Sequence, residues 1–270
     1  MNNEFGFMDT LKYKAFRSPI GKYIFKYTMS GDSDLDEIHF KTEDEMLKIT
    51  GLPFGDNNYT YIIEHEQTTI IIDPGRAIKR DNSFVLLTHC HWDHCSGLDD
   101  MKVLDSYSFG DIGTKIKDGQ ILTFGKLDFK VHCVNTHSIC SVVYELAYDD
   151  ELHIFTGDSL FNCGTGKFFE GKVDSLYSYI NLLKTYNSKK SWLWPGHDYL
   201  QTNRDWCKEL DKEVPRMTIP FTIESQILYS PFFDVAKVKA KLVEKYGDFV
   251  DEQDGVVLLR KWKDEFDPSL

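Results

Sequence analysis

With 270 residues the chain is long enough to bury a sizeable core, as one large domain or a domain with an appendage, and 41% hydrophobic with 27% charged content is that of an ordinary globular protein. A formal net charge of −12 argues against a nucleic-acid or anionic-membrane surface, so an anionic substrate would need a local basic pocket. No apolar run approaches the ~20 residues of a membrane span, and residues 1–9 lack the charged and apolar regions of a secretory signal. Cys90, Cys95, Cys133, Cys140, Cys163 and Cys207 are too sparse for a disulfide framework, so a reduced, cytoplasmic setting is expected.

Residues 1–45 stand apart. Lys12, Lys14, Arg17, Lys22 and Lys26 interleave with Tyr13, Phe16, Tyr23, Phe25 and Tyr27, and no acid lies among them. Such interleaving can bind nucleic acid or phosphate. The acidic run over 32–45 cancels its field, however, and 22–27 reads as an edge strand with polar groups outward. From residue 47 the pattern turns strand-rich. Residues 59–63 and 68–72 are β-branched and aromatic runs split by a polar turn, which predicts a hairpin. Residues 127–134, 141–147 and 152–155 continue the series. Asp174 reads as a helix N-cap, with Leu176, Tyr179, Ile180 and Leu183 following at helical spacing. A short strand at Trp192, Leu193 and Trp194 ends at Pro195, Gly196 and His197, and no convincing strand follows Tyr199. Residues 201–270 read as helices around Trp206, over 235–246 and over 257–266.

The strongest chemical signal is Thr88-His89-Cys90-His91-Trp92-Asp93-His94. Imidazoles and a carboxylate packed this closely are costly unless a cation binds them, and they suit Zn²⁺, Fe²⁺ or Mn²⁺. The apolar run Phe84, Val85, Leu86, Leu87 reads as a buried strand. In the extended chain leaving it, residues i and i+2 point the same way, so His89 and His91 can share one metal. The next turn brings Asp93 and His94 round to a second. A cluster of plain surface histidines is the bland alternative, and the strand directly upstream argues against it. Cys90 and Cys95 read as small apolar fillers. His137, Asp158 and His197 each follow an apolar strand. Singly they are weak signals; together they are ligands gathered on loops at a sheet edge. His39, His65, His132 and His153 lack that context and read as structural.

At this point the chain resembles the metallo-β-lactamase superfamily and, within it, the glyoxalase II (hydroxyacylglutathione hydrolase) family. The His-rich stretch matches the family's Thr-His-x-His-x-Asp-His signature. Phe155-Thr-Gly-Asp-Ser-Leu-Phe161 matches the segment carrying its bridging aspartate, Gly166-Lys-Phe-Phe-Glu-Gly171 its glycine-flanked Lys/Arg-Phe-Tyr/Phe-Glu stretch, and Pro195-Gly-His-Asp-Tyr199 its Gly-His-Glu-Tyr. The tail, with Thr218-Ile-Pro-Phe-Thr-Ile-Glu224, Tyr229-Ser-Pro-Phe232 and Arg260-Lys-Trp-Lys-Asp-Glu-Phe266, resembles that of the same family. The resemblance implies an α/β (α+β) protein, a four-layer αββα sandwich with a helical C-terminal domain. Residues 1–45 would be an extension, 46–200 the metal-binding domain and 201–270 the helical substrate-binding domain.

Two divalent metal ions are implied, zinc foremost, with iron or manganese acceptable to the same ligands. His89, His91 and His137 would take one, Asp93, His94 and His197 the other, and Asp158 would bridge; Asp93 and Asp158 are also the implied catalytic residues. Asp73 fits the superfamily's supporting aspartate, though a plain turn residue reads the same way. The implied activity is hydrolysis of S-D-lactoylglutathione, a 2-hydroxyacyl-glutathione, to glutathione and D-lactate by a metal-bridging hydroxide. Lys167, Phe169, Tyr199, Arg260 and Lys263 align with the family's substrate-binding positions, the last two sharing one helix face. The implied partner is this small-molecule thioester, with no nucleic acid or membrane, and the chain is expected to be a monomer. Phe169 departs from a common tyrosine and Cys140 from a common glycine, and only residues 76–84 link Asp73-Pro-Gly75 to the next strand. These departures bear on substrate preference. Competing readings are a glutathione-persulfide dioxygenase with a single iron, a hydrolase of another thioester or lactone, and a non-catalytic binding protein; keeping Asp93, His94 and His197 favours two metals.

Overall fold

The computed structural model describes residues 32–267, so the basic-aromatic segment over 12–27 lies outside the described residues. Two mixed sheets, of seven and six strands, carry the fold, with flanking helices and a helical C-terminal region. The chain forms two compact units that divide between Val131 and His132. Among the described residues no helix is long and apolar enough to cross a membrane.

In the first unit the seven-stranded sheet runs in chain order: β1 (Ile38–Lys41), β2 (Leu47–Phe54), β3 (Asn58–His65), β4 (Thr68–Ile72), β5 (Ser83–Leu86), β6 (Val103–Ser108) and β7 (Thr114–Lys115). The expected hairpin is β3–β4, with Tyr61 opposite Ile72 and Ile63 opposite Ile70. β1 lies within the segment set apart as an extension and pairs antiparallel with β2. The β-branched runs bury Ile62, Ile71, Val85 and Leu87 with Cys95 in one cluster, as expected for a small apolar filler. Each such aliphatic side chain contributes about 1.5–3 kcal/mol by leaving water. β4 pairs parallel with β5, and β5 with β6, so their C-terminal ends finish at one edge. Asp73 and His89 leave the sheet there. A one-turn helix α1 (Trp92–Cys95) follows. A hairpin of β8 (Ile121–Phe124) and β9 (Leu127–Cys133) closes the unit.

In the second unit β10 (Val142–Tyr148) and β11 (Glu151–Gly157) are antiparallel, β11 and β12 (Ser191–Pro195) parallel, and β12 and β13 (Phe221–Thr222) antiparallel. β13 is a strand where none was expected; two residues held only by pairing with β12 have no periodicity to read. Helix α2 (Val173–Leu183) starts before Asp174 rather than after it. Lys172 occupies the cap position without a side-chain bond, and Asp174 sits in the first turn, where its charge still meets the helix dipole. Then come α3 (Leu200–Glu209), α4 (Ile223–Tyr229), a 3-10 turn (Val235–Val238), α5 (Lys239–Tyr246) and α6 (Glu252–Phe266). α6 begins well ahead of residue 257 because the Asp251 carboxylate caps it, accepting from Asp254 N at 2.9 Å. Tyr144, Phe155, Trp194, Trp206 and Phe232 fill the core, with the Phe155 and Trp194 rings stacked 5.9 Å apart.

Candidate metal centre

Asp73 leaves β4 in a left-handed conformation (φ 53°) and is only 2% exposed. Its Oδ1 accepts from Thr88 N at 2.7 Å, and its Oδ2 accepts from Thr88 Oγ1 at 2.6 Å and from His94 Nδ1 at 2.9 Å. Receiving the Nδ1 proton fixes His94 in the tautomer that leaves Nε2 free to ligate. Thr88 Oγ1, its own proton given to Asp73, accepts from His89 Nδ1 at 3.1 Å, and the same logic turns His89 Nε2 toward a ligand. Asp73, His89 and His94 offer donor atoms within 4.8 Å of one another, but both Asp73 oxygens are committed, so Asp73 supports the ligands rather than joining them. His89 Nε2 stands 3.0 Å from His91 Nδ1, and His94 Nε2 stands 3.5 Å from Asp93 Oδ2. Asn58 Nδ2 donates to that Asp93 oxygen at 3.2 Å. A side chain at Gly75 would collide with the Asp93 carbonyl and the Phe54 ring, so only glycine lets the loops approach this closely.

In the second unit Asp158 ends β11 and His197 follows β12, and the parallel pairing sets Gly157 opposite Pro195 at one edge. His137 Nδ1 donates to Lys167 O at 2.8 Å, which points Nε2 at Asp158 Oδ2, 3.4 Å away. His197 Nε2 lies 3.3 Å from the other oxygen, Asp158 Oδ1. One carboxylate thus faces two imidazoles with different oxygens, the disposition of a bridging ligand. Tyr199 stacks on His197 at 5.0 Å and 14°, and Phe161 meets both rings edge-on. A side chain at Gly166 would strike Asp158 O and His137 Nδ1, so close packing behind the ligands requires glycine here as well.

These spacings can be tested against a metal. Ligand atoms about 2.0–2.1 Å from a tetrahedral ion lie about 3.3 Å from each other. The separations of 3.0 and 3.5 Å in the first unit and 3.4 and 3.3 Å in the second match that edge. The donors are imidazole nitrogens and carboxylate oxygens, largely buried, where uncompensated charge is costly. The residues present fit divalent ions, and they form the His/Asp clusters that a binuclear site uses.

The residues expected at the substrate end lie in the second unit. Lys167 reaches His137 through its carbonyl, and Phe169 packs its ring on His137 at 5.3 Å and 65°. On α6, Arg260 is 4% and Lys263 1% exposed, which sets aside a solvated basic face. Arg260 donates to Thr165 O and, at 2.7 Å, to Asp264 Oδ1. Lys263 Nζ makes no hydrogen bond among the described residues and lies 5.3 Å over the Phe266 ring. Burial first, then the Arg260 charge, pushes the Lys263 ammonium down to about 8. Burial also lowers Arg260, against the pull of Asp264. Thr88, Asn58 and Phe161 carry supporting roles that sequence reasoning missed. Thr88 and Phe161 had a signal, their place inside matched motifs; Asn58 had none, because its contact is remote in sequence.

The profile of the metallo-beta-lactamase superfamily matches residues 53–104. A hydroxyacylglutathione hydrolase of Xanthomonas oryzae pv. oryzae is 26% identical over 82% of this chain and 99% of its own length. The cytoplasmic hydroxyacylglutathione hydrolase of Arabidopsis thaliana is 28% identical over 74% of this chain and 92% of its own. Among solved structures, ETHE1 from Myxococcus xanthus superposes with a TM-score of 0.52 at 19% identity, over 84% of this chain and 98% of that one, a likeness of fold alone. In its matched segment, its fold and its His/Asp clusters the chain is similar to the metallo-beta-lactamase superfamily, and over most of its length it is distantly similar to hydroxyacylglutathione hydrolases.

Proposed function

We propose that the protein hydrolyses glutathione thioesters, S-D-lactoylglutathione and related 2-hydroxyacyl-glutathiones, to glutathione and a 2-hydroxy acid such as D-lactate. The observation that carries this reading is the buried Arg260–Lys263 pair on α6, an unusual concentration of positive charge in a chain of net charge −12. Asp264 answers the Arg260 charge, but the Lys263 ammonium has no hydrogen-bond partner among the described residues and calls for an anion, which the carboxylates of glutathione supply. The relatives above are named for this activity.

In this reading His89, His91 and His137 hold one divalent ion, Asp93, His94 and His197 a second, and Asp158 serves both, with zinc the foremost candidate. Such ions supply, when bound, a strong nucleophile from water at neutral pH and stabilisation for a developing oxyanion. The chain's own part is orientation. Asp73 holds His94 directly and His89 through Thr88, Lys167 O holds His137, and Asn58 steadies Asp93. A thiolate leaving group is stable near neutral pH, so no protein acid is needed. Phe169 places a ring without a hydroxyl beside His137, which selects substrates by packing rather than by a hydrogen bond there. The same reading takes 46–200 as the metal-binding domain, 201–270 as the substrate-binding domain and 1–45 as an accessory extension, in a cytoplasmic monomer acting on a small molecule. Thiol release from S-D-lactoylglutathione by the metal-loaded protein, abolished by a strong chelator, tests it. Intact thioester after prolonged incubation with the loaded protein would overturn it.

A further inference from the structure

One segment touches every metal-ligand residue of the second unit. Residues 158–167 begin with Asp158 itself. Phe161 sets its ring edge against His197 at 5.8 Å and 86°, and Lys167 O accepts from His137 Nδ1 at 2.8 Å. The segment contains no helix and only an isolated bridge, with Phe161 N donating to Gly164 O at 2.8 Å and Gly166 N to Asp158 O at 2.9 Å. Its shape must therefore come from what grips it.

The grip comes from the C-terminal helices. Gln226 of α4 is 1% exposed; its Oε1 accepts from Cys163 N at 2.9 Å and its Nε2 donates to Asn162 Oδ1 at 3.2 Å. Asn203 of α3 is 2% exposed and donates from Nδ2 to Asn162 O at 2.9 Å. Cys163, the residue Gln226 holds, has φ 57°, a left-handed conformation disfavoured for a side-chain-bearing residue and so in need of a fixed partner. Burying amides is costly unless each finds a partner, and packing alone could use a leucine or methionine here. Buried amides paired to the backbone and side chains of a segment specify one arrangement of it.

We infer that Gln226 and Asn203 are positioning residues for the metal centre: they hold the 158–167 segment, and through it Asp158, His137 and His197, in the geometry that takes ions. The C-terminal helices thus set metal affinity as well as serving the substrate end. This rests on the metal-centre part of the proposed function and not on the identity of the substrate.

The test is zinc affinity of the full chain, by competition with a chromophoric chelator, in wild type, Gln226→Met, Asn203→Ala and Leu242→Ala. Gln226→Met keeps volume and removes the side-chain hydrogen bonds to Cys163 N, Asn162 Oδ1 and Ser225 Oγ; Leu242→Ala destabilises a buried site on α5, which is not part of the segment. The two polar variants are expected to bind zinc about tenfold more weakly. Leu242→Ala is expected to lose as much Tm and bind zinc as wild type does. Polar variants that fold and keep wild-type zinc affinity, or a Leu242→Ala loss of the same size, would overturn the inference. If Gln226→Met does not fold, Asn203→Ala, which removes a single hydrogen bond, decides. Wild type that binds zinc but leaves the thioester intact sinks the substrate reading and leaves this one standing; wild type that binds no zinc sinks both.

Discussion

Raising the pH from 7 to 9 is expected to weaken glutathione binding about tenfold through Lys263 alone. In the free protein burial and Arg260 disfavour the charged ammonium and bring its pKa down to about 8. A bound carboxylate favours the charged form, so protonation and ligand binding assist each other. The sign follows: affinity is full below pH 8 and falls above it. If only the protonated form binds, the apparent Kd scales as 1 + 10^(pH − pKa), which gives the tenfold figure between pH 7 and 9. Calorimetric titration of S-methylglutathione from pH 6.5 to 9.5 measures it. The ligand's own amino group titrates in this range, so Lys263→Arg, whose guanidinium stays charged, is run in parallel. The ratio of wild-type to variant Kd is expected to climb above pH 8. A ratio constant across the range would refute the assignment of Lys263 as a buried, titrating anion contact.

Other outcomes follow from the same geometry. Asp73→Asn removes the acceptor that orders His94 and Thr88, and zinc affinity in a chelator competition is expected to fall by about 10–100-fold; an unchanged affinity would mean Asp73 is only a turn residue. Gly166→Ala places a methyl group against Asp158 O and His137 Nδ1, with an expected destabilisation of about 1–3 kcal/mol and weaker zinc binding, read by urea unfolding and the same competition. His153 on β11 is fully buried, accepts from Trp194 Nε1 at 3.4 Å, and is pushed by burial from 6.5 down to about 4. The unfolded chain therefore takes up a proton that the folded one refuses, and stability present above pH 6.5 is lost as pH falls toward 4. The loss is about 1.6 kcal/mol between pH 6.5 and 5. Urea midpoints for wild type and His153→Gln should diverge over that interval; parallel curves would place the acid sensitivity elsewhere.

The gathering of His89, His91, Asp93 and His94 is legible in the sequence because alternation in an extended chain is a local property. The hairpin of β3 and β4 is legible for a similar reason, since β-branching and a polar turn are near neighbours. What holds the ligands is less local. Asp73 reaches Thr88 only because β4 and β5 pair in parallel, and Asn58 reaches Asp93 from a strand far upstream. The Arg260 and Lys263 spacing puts both on one helix face, but nothing in it signals near-complete burial, since charged residues on a terminal helix are mostly solvated. Lys167 is expected at the substrate end, and its carbonyl also accepts from His137, a role any residue type could fill and no sequence pattern signals. β13 and the early start of α6 escaped because one is held only by pairing and the other only by the Asp251 cap.

Metal content and thiol release measured on one purified sample test the central claim most directly. Two divalent ions per chain and release of thiol from S-D-lactoylglutathione are expected, with both falling together in Asp158→Ala. A single iron per chain, with oxygen uptake on glutathione persulfide and no thioester cleavage, would contradict it.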